Sequence, residues 1–134
     1  MSENKMTAEM AEQELEAWVL AKCGQKRVDK TDRGTVDILV ESMQEGNLIL
    51  HDDETVTYKC KYTYGNDQTL EVKFKKGLKY KELKAYLKGI RQDDSMELNL
   101  AYLAGLTKTS KKVLEELDMY DITRLTSLMS FFVS

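Results

Sequence analysis

The stretch Thr55-Val-Thr-Tyr-Lys-Cys-Lys-Tyr-Thr-Tyr64 alternates with a period of two, and after Gly65-Asn-Asp-Gln68 the alternation resumes in Thr69-Leu-Glu-Val-Lys-Phe-Lys75. Successive side chains on a strand point to opposite faces. One face therefore takes Val56, Tyr58, Cys60, Tyr62 and Tyr64, then Leu70, Val72 and Phe74, while the other takes Thr57, Lys59, Lys61, Thr63, Glu71, Lys73 and Lys75. Alternation on both sides of a Gly/Asn/Asp turn is the pattern of an antiparallel hairpin. A short apolar piece, Leu48 to His51, precedes the turn Asp52-Asp53-Glu54 and adds a third strand. The region from about 48 to 75 thus reads as a three-stranded meander, inward face Tyr/Val/Leu/Phe and outward face rich in lysine. A slip of one residue would bury the lysines, which fixes the register. A two-stranded hairpin alone is marginal, so helices must cover the apolar face.

Helices flank the meander on both sides. Residues 8–23 follow Thr7, a candidate N-cap, with Ala11, Leu15, Trp18 and Val19 as an apolar stripe and Gly24 as terminator. Gln25–Lys30 reads as a polar linker. A second helix is predicted over 32–45, capped by Thr31, with Val36, Leu39, Val40 and Met43 at helical spacing and Gly46 beyond its end. On the far side, 78–90 carries Leu83, Leu87 and Ile90 on one face and Lys81, Lys84 and Lys88 away from it. Asp94 caps 95–105, whose apolar residues are Met96, Leu100, Leu103 and Ala104, and Gly105 is read as its end. A short helix follows Thr109 or Ser110, and Asp118 caps a last helix over 119–132 lined by Ile122, Leu125, Leu128, Met129 and Phe132. The expectation is a mostly helical α+β single domain over 1–134: an acidic helical pair (1–46), antiparallel strands (47–76) and a helical C-terminal part (77–134).

Composition narrows the function classes. The chain has 134 residues, 42% hydrophobic and 32% charged, which is too apolar for a disordered chain. It offers no run of ~18 apolar residues to span a bilayer, and its first ten residues lack the layout of a secretory leader, so cytoplasmic residence is expected. Two cysteines, Cys23 and Cys60, form no CxxC pair and read as reduced structural thiols. The net charge of −3 hides a strong unevenness: −7 over 1–54, +7 over 55–92 and −3 over 93–134. Such asymmetry steers partners of complementary charge.

Catalysis finds little to work with. His51 is the one imidazole and sits beside Asp52 at a strand end. The acidic pairs at 52–54 and 93–94 lack the spaced oxygens and central glycine of a calcium loop and read as turns and caps. No glycine-rich loop follows a strand and opens a helix. The expectation is a protein with no catalytic residues, no cofactor and no metal. Nucleic-acid binding is the alternative function, through the candidate basic face Lys59, Lys61, Lys73 and Lys75. The aromatics that would stack bases alternate onto the opposite face, however, and the pI of about 5.3 is low for such a domain, so nucleic acid is not the favoured partner.

The clearest motif lies in the C-terminal third. Leu98-Asn-Leu-Ala-Tyr-Leu-Ala-Gly105-Leu106-Thr107 is followed by Val113-Leu114-Glu115-Glu116-Leu117-Asp118, then Asp121, then Leu128-Met-Ser-Phe-Phe132. This order of apolar helix, L-x-G-L-T, short helix, L-D-x-x-D and a helix ending in Phe resembles the tail assembly chaperones of contractile- and siphon-tailed phages. With the strand pair and helix before it, the resemblance spans residues of about 55–132. It implies a non-enzymatic protein of the bacterial host cytoplasm that binds the tape-measure protein, the tail-tube protein or both during virion assembly. The acidic N-terminal helices fall outside it, and self-association is left open. The candidate docking residues are Leu125, Leu128, Met129, Phe131 and Phe132. Phe131 lies off the apolar stripe of its helix, so two readings stand: an anchor for a partner, or a core residue packed near Trp18.

Overall fold

The structure is a computed structural model, and it describes residues 6–62 and 69–133, the last of these by its backbone alone. Among the described residues the order is α1 (Ala8–Cys23), α2 (Gln25–Lys30), α3 (Arg33–Gln44), β1 (Leu48–Leu50), β2 (Val56–Lys59), β3 (Glu71–Phe74), α4 (Tyr80–Leu87), α5 (Ser95–Thr107), α6 (Lys111–Glu115) and α7 (Met119–Val133). The fold is α+β, with a three-stranded antiparallel sheet ordered β1-β2-β3 and helices before and after it. Val56 stands opposite Phe74 and Tyr58 opposite Val72. Leu48 and Leu50 stand opposite Tyr58 and Val56 on the other side. These six side chains line the face that helices cover, as the alternation requires. The turn at 65–68, with Thr63 and Tyr64, lies outside the described residues.

One core joins the sheet to both helical parts. It takes Ala11, Leu15, Trp18 and Val19 from α1, Leu39, Val40 and Met43 from α3, the inner face of the sheet, and the apolar sides of α5, α6 and α7.

Several boundaries differ from the sequence reading, each for a local reason. The segment 25–30, read as a linker, is the helix α2. Gly24 breaks it from α1 with a φ of +94°, and Val28 turns back onto the core. Asp32 rather than Thr31 caps α3, accepting the Thr35 N–H at 3.2 Å, while the Thr31 hydroxyl donates to the Arg27 carbonyl at 2.7 Å. The helix read over 78–90 is shorter, running from Tyr80 to Leu87.

Gly105 does not end α5. The helix continues to Thr107 and closes at Lys108, which takes the left-handed conformation at φ 54°. Gly105 is buried inside the helix because a Cβ there would lie 3.1 Å from both Leu78 methyls and 3.5 Å from the Tyr86 ring. The glycine serves close approach of α5 to the segment around α4 rather than chain reversal.

The alternation also ends early. Strand β2 stops at Lys59 and the ladder closes with the Cys60 N–H on the Leu70 carbonyl. Tyr62, expected inward, is 44% exposed and lays its ring edge-on to Tyr120 at 5.4 Å. Thr57, expected outward, is buried beneath His51, whose Nε2 is 2.8 Å from its Oγ1.

Candidate functional site

The end of α7 was one candidate docking surface, and the structure corrects that expectation. Leu125, Leu128, Met129 and Phe131 are buried, and Phe132 is half-buried against the same core. Trp18 meets the Phe131 ring edge-on at 6.0 Å and the Phe132 ring at 5.8 Å, and Phe74 stacks on Phe132 at 5.1 Å. Helix α2 supplies the cover that a polar linker would not: Arg27 lies 4.5 Å from the Phe131 centroid and donates to Ser130 Oγ at 2.9 Å. These residues are core.

The lysine face is likewise not one ladder. Lys59 and Lys73 are exposed on the outer face of the sheet, but Lys59 stands opposite Glu71. Lys61 leaves the sheet with the shortened strand, lying 4.9 Å from the Tyr120 ring and 3.9 Å from Glu45. Lys75 is paired with Glu82 of α4. Two of the four lysines are thus drawn off into ion pairs with helices, so the row read from the alternation is broken at both ends.

Asp121, the second aspartate of the L-D-x-x-D motif, lies in the first turn of α7. Its carboxylate is buried and accepts the Tyr58 hydroxyl at 2.7 Å, the Lys61 N–H at 2.8 Å and the Tyr62 N–H at 3.1 Å. It is this anchor that turns the chain out of β2. Burial, together with the hydrogen bond to Asp121, pushes the Tyr58 phenol well above its ordinary range. Burial and the same charge push the Cys60 thiol up to about 12. Burial also raises the Cys23 thiol, which donates to the Phe131 carbonyl at 3.2 Å. Raised thiols are protonated at neutral pH and carry no nucleophile. His51 and Thr57 stand at the distance of a base and a nucleophile, but Thr57 is buried and no described acid bonds the other ring nitrogen. The acidic pairs have local roles: Asp53 accepts the Thr55 N–H, and Asp94 accepts the Glu97 N–H at the start of α5. Among the described residues no group of three potential metal ligands comes together.

What the helices leave open is an apolar cleft. Between α5, α6 and α7, Leu100, Leu114, Leu117 and Ile122 floor a depression of about 200 Å³, flanked by Met96 and Met119, 56% and 59% exposed. Each methionine falls in the first turn of its helix, ahead of the point where the helix meets its neighbours. Lys111 ties Glu97 across the rim at 2.7 Å, and Glu115 completes it. Sequence reading placed Met96 on the buried stripe and passed over Met119. The available signal was their position within two residues of the caps Asp94 and Asp118, where a side chain has no preceding turn to lie on.

Among the described residues, no helix is long and apolar enough to cross a membrane. Compared with protein-family models, with curated proteins and with solved structures, the chain matches none.

Proposed function

We propose that this chain is a tail assembly chaperone of a tailed phage, acting without catalysis in the host cytoplasm and holding the tape-measure or tail-tube protein until assembly. The observation that carries the reading is the methionine-flanked cleft, which lies on the C-terminal helices that bear the resemblance. The motif residues have definite parts there. Gly105 lets α5 approach Leu78, Asp118 accepts the Tyr120 N–H at 2.8 Å at the start of α7, and Asp121 fastens α7 to the hairpin. Methionine is flexible and polarisable, so a groove it borders can adapt to different apolar side chains. An amphipathic helix laid into such a groove is a common mode of recognition.

The test is co-expression of the full chain with the tape-measure and the tail-tube protein of the same genome. The expected outcome is that one of them stays in the supernatant and co-elutes with the chain, and that Met96→Asp with Met119→Asp weakens the complex at least tenfold, about 1.4 kcal/mol. Both positions lie in first helical turns, where an acid is tolerated, so the fold is spared. Partners that remain insoluble and form no complex would overturn the reading.

A further inference from the structure

A second surface is unrelated to the methionine cleft. Where α1 ends, α2 begins and α7 ends, an open cleft of about 700 Å³ is lined by Lys22, Lys26, Arg27 and Lys30, with the Phe131 and Phe132 rings at its base and no acid among its lining residues. Among the described residues none of the four cations forms an ion pair. Lys22 is held by the Lys76 carbonyl at 2.9 Å and lies 4.1 Å from the Phe132 centroid, and burial lowers its pKa. The Lys76 ammonium is near enough to oppose it. Arg27 is fixed by Thr31 Oγ1 at 3.0 Å and Ser130 Oγ at 2.9 Å, and its Nε is buried without an acceptor.

Part of this charge answers the fold. The ends of α1 and α7 each present about half a negative charge, Glu54 acts on Lys22 and Asp29 lies on α2. Against the four lining cations and Lys76 that leaves a surplus of about two positive charges. We infer that this cleft is a docking site for an acidic segment of a protein partner, whose carboxylates are spread along the cleft. The geometry selects carboxylates on a peptide over phosphates. Compact phosphates are bound by backbone N–H groups at the N-termini of long helices; the one helix that begins here, α2, is six residues long, and α1 and α7 end here with their carbonyls. Nucleic acid lacks a stacking platform, because one face of the Phe132 ring is against Phe74 and Lys22 lies over the ring. Long lysines on a rim suit a row of single charges.

The probe is a fluorescein-labelled dodecapeptide alternating glutamate and glycine, titrated with the full chain at low salt and read by anisotropy. Expected is saturable binding that falls roughly tenfold or more when ionic strength is raised tenfold, as an exposed electrostatic contact must. Lys26→Glu with Lys30→Glu, both exposed, should weaken it at least tenfold, while the equally exposed Lys81→Glu with Lys84→Glu should change it less than twofold. No binding by the wild-type chain, or equal losses in the two doubles, would overturn the site. Tighter binding of a duplex DNA of matched charge, lost in the same Lys26/Lys30 variant, would overturn the choice of partner.

Discussion

Tyr58 donates its phenolic hydrogen to Asp121 across 2.7 Å, joining the central strand of the sheet to the last helix in the interior of the molecule. Because the same carboxylate also takes two backbone N–H groups, it is the hub and the phenol is one spoke. Removing the hub should therefore cost more. Asp121→Ala leaves the buried Tyr58 hydroxyl and two part-buried backbone N–H groups unpaired and is expected to destabilise by about 3–5 kcal/mol. Tyr58→Phe, which leaves the carboxylate two donors, should cost about 1–3 kcal/mol. Urea titration of both variants checks the order, and equal losses would remove Asp121 from its role as hub.

The alkaline limb of stability should report the buried Cys60 and Tyr58. Both groups titrate higher in the folded chain than unfolded, Cys60 moving from 9.0 to about 12. Their contribution is present below the unfolded values and is lost as pH rises, because the unfolded chain releases protons that the folded chain keeps. The urea midpoint is expected to fall between about pH 9 and 12 for that reason. Cys60→Ala should flatten the first part of the decline relative to pH 7. A midpoint unchanged to pH 11 would contradict it.

Thiol labelling offers an independent reading of the same burial. At pH 8 Cys60 should react with iodoacetamide only after unfolding, since its thiolate is scarce and covered. Half-buried Cys23 should react faster, though below the rate of a free thiol. Peptide mapping after timed labelling separates the two.

Phe131→Ala separates core from anchor. With Trp18 and Arg27 packed on its ring, truncation should cost about 3–5 kcal/mol of stability. A variant that melts like the parent would return Phe131 to the surface.

Gly105→Val should destabilise by about 1–3 kcal/mol through contact with the Leu78 methyls. Leu78→Ala in the same chain should recover part of the loss. Additive losses would show that the close approach is not the reason for the glycine.

The alternation around Tyr58 and Val72 was enough to set the sheet, its register and its buried face, because period two leaves one arrangement that keeps Lys59 and Lys73 wet. Helix α1 was legible to its ends, since Thr7 and Gly24 both act where their chemistry suggests. Tyr62 was not legible: its direction depends on Asp121, and nothing local announces a carboxylate about sixty positions away. Gly105 misled for the opposite reason, as a glycine at a helix end and a glycine at a helix crossing look alike until Leu78 is in place. The open surfaces were harder still. Met96 and Met119 share a cleft only because α6 turns α7 back along α5, and Lys22 meets Lys26 and Lys30 across a break that read as a linker.

The contact of Cys23 with the Phe131 carbonyl spans 108 positions, and the Trp18 ring waits on the same part of α7. During synthesis the first helix therefore leaves the ribosome with its tryptophan uncovered. The sheet follows with the Phe74 ring lacking Phe132, and Tyr58 has no acceptor until Asp121 emerges. The interior is closed only once α7 is in place. A chain cut before α7 would leave Trp18, Phe74 and Tyr58 without their partners together, and is expected to yield a sticky fragment rather than a smaller working protein.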